Sequence, residues 1–139
     1  MQQSFFSKPE ASSVISHLLK NTYRAFDFRK ESDIYDKLAV SNHKQLLTKL
    51  YIQTKKSVIL ENQGGIQVKV KDFEVTDVVE VSSKNGGISF RCKWIVKGDV
   101  GHWGHIHSRT NQYEAIIHIK PEKNVWKLNE IDIIEEVRL

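Results

Sequence analysis

Three stretches of the chain repeat their apolar residues every three or four positions, and later stretches repeat them every second position. Val14, Ile15, Leu18, Leu19, Thr22, Tyr23 and Phe26 follow the first spacing, which lays them along one side of a 3.6-residue helix. Pro9, Glu10 and Ala11 open that helix, with proline in the first turn where its missing amide costs no hydrogen bond. The pattern lasts to about Phe28. Ile34, Tyr35, Leu38 and Ala39 predict a second, shorter helix behind an N-cap at Ser32 or Asp33. Leu46, Leu47, Leu50 and Tyr51 predict a third, opened by Ser41 or Asn42 and running towards Leu60.

Gly64 and Gly65 end the helical half. Ile66, Val68 and Val70 start a strand whose apolar parity moves to Phe73 and Val75, then to Val79 and Val81, so a bulge is predicted near Lys71 and Asp72. Asn85-Gly86-Gly87 is a hairpin signal. Ile88, Phe90, Cys92, Trp94 and Val96 share one face of the next strand, with Ser89, Arg91, Lys93 and Lys97 on the other. In the strand after it Tyr113, Ala115, Ile117 and Ile119 point inward while Glu114, His118 and Lys120 point outward. Pro121-Glu122-Lys123-Asn124 turns into a last strand, where Trp126 and Leu128 hand over to Ile131 and Ile133 with another change of parity. Helices first and strands afterwards define an α+β fold, three N-terminal helices packed on a curved, four- to six-stranded antiparallel sheet. The expectation is one domain over residues 1–139, with residues 1–10 as a flexible N-terminal segment.

Composition narrows the class of partner. The 139 residues carry 40% hydrophobic and 27% charged side chains and a formal charge of +4, and the Lys and Arg are scattered among acids. Nucleic-acid binding wants a concentrated basic stripe, so no nucleic acid is expected. No run approaches the ~18 apolar residues of a membrane span, and the start lacks a basic segment followed by an apolar one. The chain therefore reads as a soluble domain, either whole or cut from a longer membrane-anchored or exported protein, and nothing fixes its compartment. Cys92 is the one cysteine, which rules out an internal disulfide and a thiolate zinc site. Between Phe90 and Trp94 it reads as a buried, inert thiol.

The order of elements and the Val125-Trp126-Lys127 ending resemble the nuclear transport factor two-like superfamily, the cystatin-like, cone-shaped roll shared with ketosteroid isomerases and polyketide cyclases. The resemblance spans nearly the whole chain, from about Ala11 to Val137. It implies a cavity between the sheet and the first helix, and a homodimer through the open sheet face. The runs Asn21-Thr22-Tyr23-Arg24-Ala25-Phe26-Asp27 and Gly101-His102-Trp103-Gly104-His105 are similar to motifs of a bacterial family of uncharacterised proteins, to which no activity attaches. Enzymes of the superfamily place an acid/base carboxylate, His or Tyr in the cavity. Tyr23 and Asp27 stand one turn apart on the first helix, with His17 on the same element. The alternative makes Tyr23 a core residue with its hydroxyl at the edge and Asp27 a solvated or Arg-paired acid.

The candidate chemistry gathers in residues 101–119, which hold four of the six histidines. If the alternation of the strand runs backward unbroken, Asn111, Arg109, His107 and His105 share the inward face with Tyr113 and Ala115. Burying such groups unpaired costs at least a few kcal/mol each, so that face would open into a wet cavity or onto a partner. The alternative is a bulge at residues 108–111 that turns the polar half outward. On the first register His105, His107, Arg109, Asn111 and Tyr113, with Trp94 and Tyr23, line a ligand site, and Phe90 and Ile117 supply its apolar wall. An Arg fork there would select a carboxylate or phosphate; otherwise Arg109 pairs with Glu114, Asp99 or a helix acid and ties the strand down. His105 and His107 also suggest a weak metal site, with His102 as a third ligand, yet without a carboxylate or thiolate the set is thin. No cofactor is implied. Trp103, in a glycine-flanked bend, is the interface candidate, or else it caps the mouth of the cone. The reading is a non-enzymatic domain that binds a small ligand or a protein through this face; its alternative is an isomerase, cyclase or dehydratase using a His and a Tyr.

Overall fold

A computed structural model describes residues 6–25, 31–62, 67–84, 86–102 and 105–139. Three helices, α1 (Lys8–Arg24), α2 (Glu31–Ser41) and α3 (Lys44–Asn62), precede four strands, β1 (Gln67–Lys84), β2 (Gly87–His102), β3 (His105–Glu122) and β4 (Val125–Arg138). The strands form one antiparallel sheet in the order β1-β2-β3-β4, not closed, with β1 and β4 as its edges. This is the expected α+β architecture, with a curved sheet of four strands.

The helices form where local chemistry starts and stops them. Ser7 caps α1 in a reciprocal box: its hydroxyl accepts from the Glu10 amide at 3.2 Å, and the Glu10 carboxylate accepts from the Ser7 amide at 3.1 Å. Ala11, Ile15, Leu18 and Leu19 then bury themselves against Phe90, Cys92, Ile117, Ile119 and Leu128. Phe6 adds ring contacts to Phe90 and Trp126, centroids 6.4 and 5.2 Å apart. A smaller cluster of Ala25, Ile34 and Leu38, backed by Leu47, Leu50 and Tyr51, joins α2 to α3.

The α2–α3 connection docks on the sheet through Asn42. Its backbone bridges to Leu128 in parallel, while its buried side-chain amide donates to Thr22 Oγ1 and to the Leu38 carbonyl, each at 3.0 Å. That commitment explains a difference from expectation: α3 opens at Lys44, beyond both Ser41, the last residue of α2, and Asn42. Ser32 and Asp33 likewise lie inside α2 instead of capping it. His43 extends the tie, its Nδ1 2.9 Å from Glu122 Oε2, which Lys127 Nζ also approaches at 3.3 Å. The hydrogen bond from His43 first, and the Lys127 ammonium after it, hold the Glu122 carboxyl below its ordinary pKa.

Every register shift in the sheet falls on an edge strand. β1 carries extra residues at Lys71, Thr76 and Val81 against β2, and β4 at Asn129 and Ile134 against β3. The predicted bulge near Lys71 and the parity change after Leu128 are both present. The second shift in β1, at Thr76, is a correction: it buries Val78 and leaves Val79 and Val81 47% and 56% exposed, where alternation alone puts the latter two inside. The β3–β4 turn is a two-residue loop with Lys123 and Asn124 at φ 50° and 67°, the pair of left-handed conformations that matches the twist of a tight hairpin.

Candidate binding face

β2 and β3 pair without a single shift from Ile88–Ile119 to His102–His105. Side chains on an unbroken strand alternate strictly, so His105, His107, Arg109 and Asn111 do share a face with Tyr113, Ala115, Ile117 and Ile119. Along that face α1 covers only the part from Ile119 to Tyr113. Ala115, Ile117 and Ile119 are buried, Asn111 and Tyr113 are half-buried, and residues 105–109 are exposed. The polar half is thus in register with the core and beyond its roof. Among the described residues it lines no enclosed hollow.

An aromatic cluster marks the boundary. Trp94 is buried and donates its indole N–H to the Tyr23 hydroxyl at 3.0 Å. Burial pushes that phenol up to about 12, against the lowering effect of the Trp94 hydrogen bond, so Tyr23 stays a neutral hydroxyl at physiological pH. Tyr113 stacks on the other side of Trp94 with ring centres 5.5 Å apart and planes 20° from parallel. Asn111 Nδ2 donates to the Tyr113 oxygen at 3.4 Å, and that hydroxyl donates to Glu136 Oε1 at 3.3 Å. Burial also raises the Tyr113 phenol, with the neighbouring Glu136 charge adding. Phe73 meets Tyr23 at 5.4 Å.

Four of the nominated residues, Tyr23, Trp94, Asn111 and Tyr113, therefore touch one another in a chain, while His105, His107 and Arg109 continue it into solvent. Phe73 and Glu136 belong to the cluster and escaped sequence reasoning. Phe73 carries an apolar signal that reads as plain core, and Glu136 sits in an acidic C-terminal run with no signal. Arg109 pairs with no acid among the described residues: Glu114 is taken by Arg91 at 2.6 Å and Asp99 by Lys71 at 2.9 Å. Phe90 and Ile117 lie in the filled core beneath α1 and offer no free wall. Among the described residues no group of three or more His, Cys, Asp or Glu is placed to hold a metal ion. Trp103, the side chain of His102, and Asp27 fall outside them. Cys92 is buried, and burial pushes its thiol up to about 12 with the Asp77 charge adding, the profile of an unreactive core residue.

What fold and face define together is an α+β domain of three helices on an open four-stranded antiparallel sheet, with one end of the helix-side face uncovered. No family model matches the chain, and no curated protein does. Among solved structures it is similar to the intermembrane space region of the chloroplast protein ARC6, with a TM-score of 0.66 at 14% identity over 94% of this chain and 98% of that one. A de novo designed β-sheet protein solved by NMR aligns at a TM-score of 0.48 and 9% identity, over 94% and 90% of the two chains. At 14% identity the first likeness establishes a shared fold and nothing finer. No helix among the described residues is long and apolar enough to cross a membrane.

Proposed function

We propose that this chain is a non-enzymatic binding domain of the nuclear transport factor two-like type that receives a partner protein on the uncovered end of its helix-side sheet face. The observation that carries the reading is the unbroken β2–β3 register: it projects Arg109, His107 and His105 past the Trp94–Tyr113 stack on the face that elsewhere is core. A face with an aromatic base and a guanidinium that is unpaired among the described residues has the residue types that interface centres favour. A small-molecule pocket would instead enclose its ligand. The isomerase alternative finds less support, because an acid/base pair must reach one substrate atom together. Tyr23 is committed to Trp94, and both imidazoles stand in the open.

A photocrosslinking side chain placed at position 107 tests the proposal in the protein's native cells, with position 79 on the opposite face as the control. The expected result is one discrete protein adduct from 107, none from 79, and loss of the adduct when Arg109→Ala is added while the cooperative melt is unchanged. Adducts of equal yield at both positions, or none at either, remove the proposal. Unfolding by Arg109→Ala would make that residue structural and do the same.

A further inference from the structure

A cleft of about 330 Å³ lies between the last turn of α1 and the bulged start of β1. Tyr23, Val70 and Phe73 line it with apolar surface, and Lys20, Arg24, Lys71 and Asp72 supply its polar wall. The Tyr23 hydroxyl is bonded to Trp94, so what Tyr23 and Phe73 have left to offer a guest is ring surface. The charges are unequal in their freedom. Lys71 is held by Asp99 at 2.9 Å, and Asp72 Oδ1 accepts from the Phe73 amide at 2.9 Å. Lys20 and Arg24 pair with no acid among the described residues. They are four apart on a helix, which sets their Cβ atoms ~6 Å from each other on one face, a like-charge pairing that is mildly unfavourable until an anion joins it. The helix C-terminal dipole accounts for a cation in this turn. It does not account for two cations lining a cleft with aromatic walls.

We propose that this cleft is a binding site for a small amphipathic anion, an aryl or alkyl carboxylate or phosphate monoester whose apolar part lies on Tyr23, Val70 and Phe73 and whose charge bridges Lys20 and Arg24. The volume suits a small ligand, near the lower end for such pockets, and a guanidinium beside an ammonium matches the two or three oxygens of either headgroup. Arg109, His107 and His105 do not line the cleft, and β2 lies between, with Gly98 pairing to Val70 on one side and to Arg109 on the other.

Titration of the isotopically labelled full chain with phenylacetate, phenyl phosphate and benzylamine, followed by amide NMR shifts, tests the site. The expected result is saturable shifts at Lys20, Tyr23, Arg24, Val70 and Phe73 with both anions, in the low-millimolar range proper to ligands of this size, and none with benzylamine. The double variant Lys20→Ala/Arg24→Ala should weaken both anions by at least about tenfold, and Lys49→Ala on α3 should leave them unchanged. Both substituted residues are exposed, so the variant folds, and its own amide spectrum verifies that. Equal binding of benzylamine, shifts that map elsewhere, or affinity indifferent to the double variant would each overturn the assignment. None of these outcomes bears on position 107 or Arg109.

Discussion

At the residue scale the junction of α2, α3 and β4 sets a half-satisfied buried amide, Asn42, whose Oδ1 has no partner among the described residues, beside a buried hydroxyl with none at all. Asn42 is 1% exposed and spends its amide N–H groups on Thr22 and Leu38, fastening three elements at once. Ser41 is fully buried, and its hydroxyl has no hydrogen-bond partner among the described residues. Removing a buried donor strands its acceptors and costs about 1–3 kcal/mol, whereas removing an unpaired buried hydroxyl relieves a desolvation penalty. Asn42→Ala is therefore expected to lower the unfolding free energy by about 2 kcal/mol, and Ser41→Ala to leave it unchanged or raise it by up to about 1 kcal/mol. Urea denaturation of both variants decides, and a Ser41→Ala loss as large as that of Asn42→Ala would mean the hydroxyl is paired. Neither role was legible in the sequence. Ser41 and Asn42 have the composition of a helix N-cap, and only tertiary contact with Thr22 and Leu128 turns one into a buried strut and the other into packing. A second residue of this kind is Gly87, where an added Cβ would run into the His118 ring nitrogen and come within 2.6 Å of the Ile119 carbonyl oxygen. The hairpin signal names that glycine and is silent about the imidazole lying over it.

At the scale of elements, what the sequence showed depends on whether a strand has one neighbour or two. β2 and β3 are paired on both sides and keep strict alternation; β2 and the half of β3 from Tyr113 on are readable to the residue, while alternation leaves residues 105–111 open to a bulge that pairing excludes. β1 and β4 are edges with five register shifts between them, and each shift moves every later side chain to the other face. Changes of apolar parity reveal a bulge only when hydrophobic residues flank it on alternating positions, as around Lys71 and Asn129. At Thr76 the neighbours Val75, Val78, Val79 and Val81 fit either register, and alternation alone puts the wrong pair inside. The consequence is measurable. Val78→Asp puts an unpaired carboxylate into a position 3% exposed and should destabilise by more than about 3 kcal/mol; Val79→Asp, one residue on, should stay within about 0.5 kcal/mol. Reversed costs in a thermal melt would show that β1 lacks the Thr76 bulge. Bulges also twist edge strands out of reach of other chains, which fits their absence from β2 and β3.

At the scale of the whole molecule, one continuous hairpin runs through two environments. Its proximal half, Ile88 to Trp94 against Tyr113 to Ile119, is sealed by α1; its distal half, from Lys97 to His102 against residues 105–110, carries the same hydrogen-bonded register with no helix above it among the described residues. Backbone bonds under a packed core open only with global unfolding, while the same bonds exposed to water open locally at much lower cost. Amide exchange in the free protein should therefore be slowest at Phe90, Cys92, Ala115 and Ile117, approaching the rate set by global unfolding. At Ser108 and Arg109 it should be faster by orders of magnitude, although no bulge or break separates the two halves. The gradient bears directly on the proposed role. Evolution has no folding reason to prolong a strand pair ~15 Å past its own core, whereas a surface that gains its missing cover from another protein has a reason to keep the register straight and the backbone loosely held. Slow exchange at residues 105–109 in the free chain would show that the distal half is already stabilised on its own, and the case that it awaits a partner would lose its physical basis. Fast exchange that becomes slow there, and not along β1, once the crosslinked partner is added would join the stability gradient to the binding face.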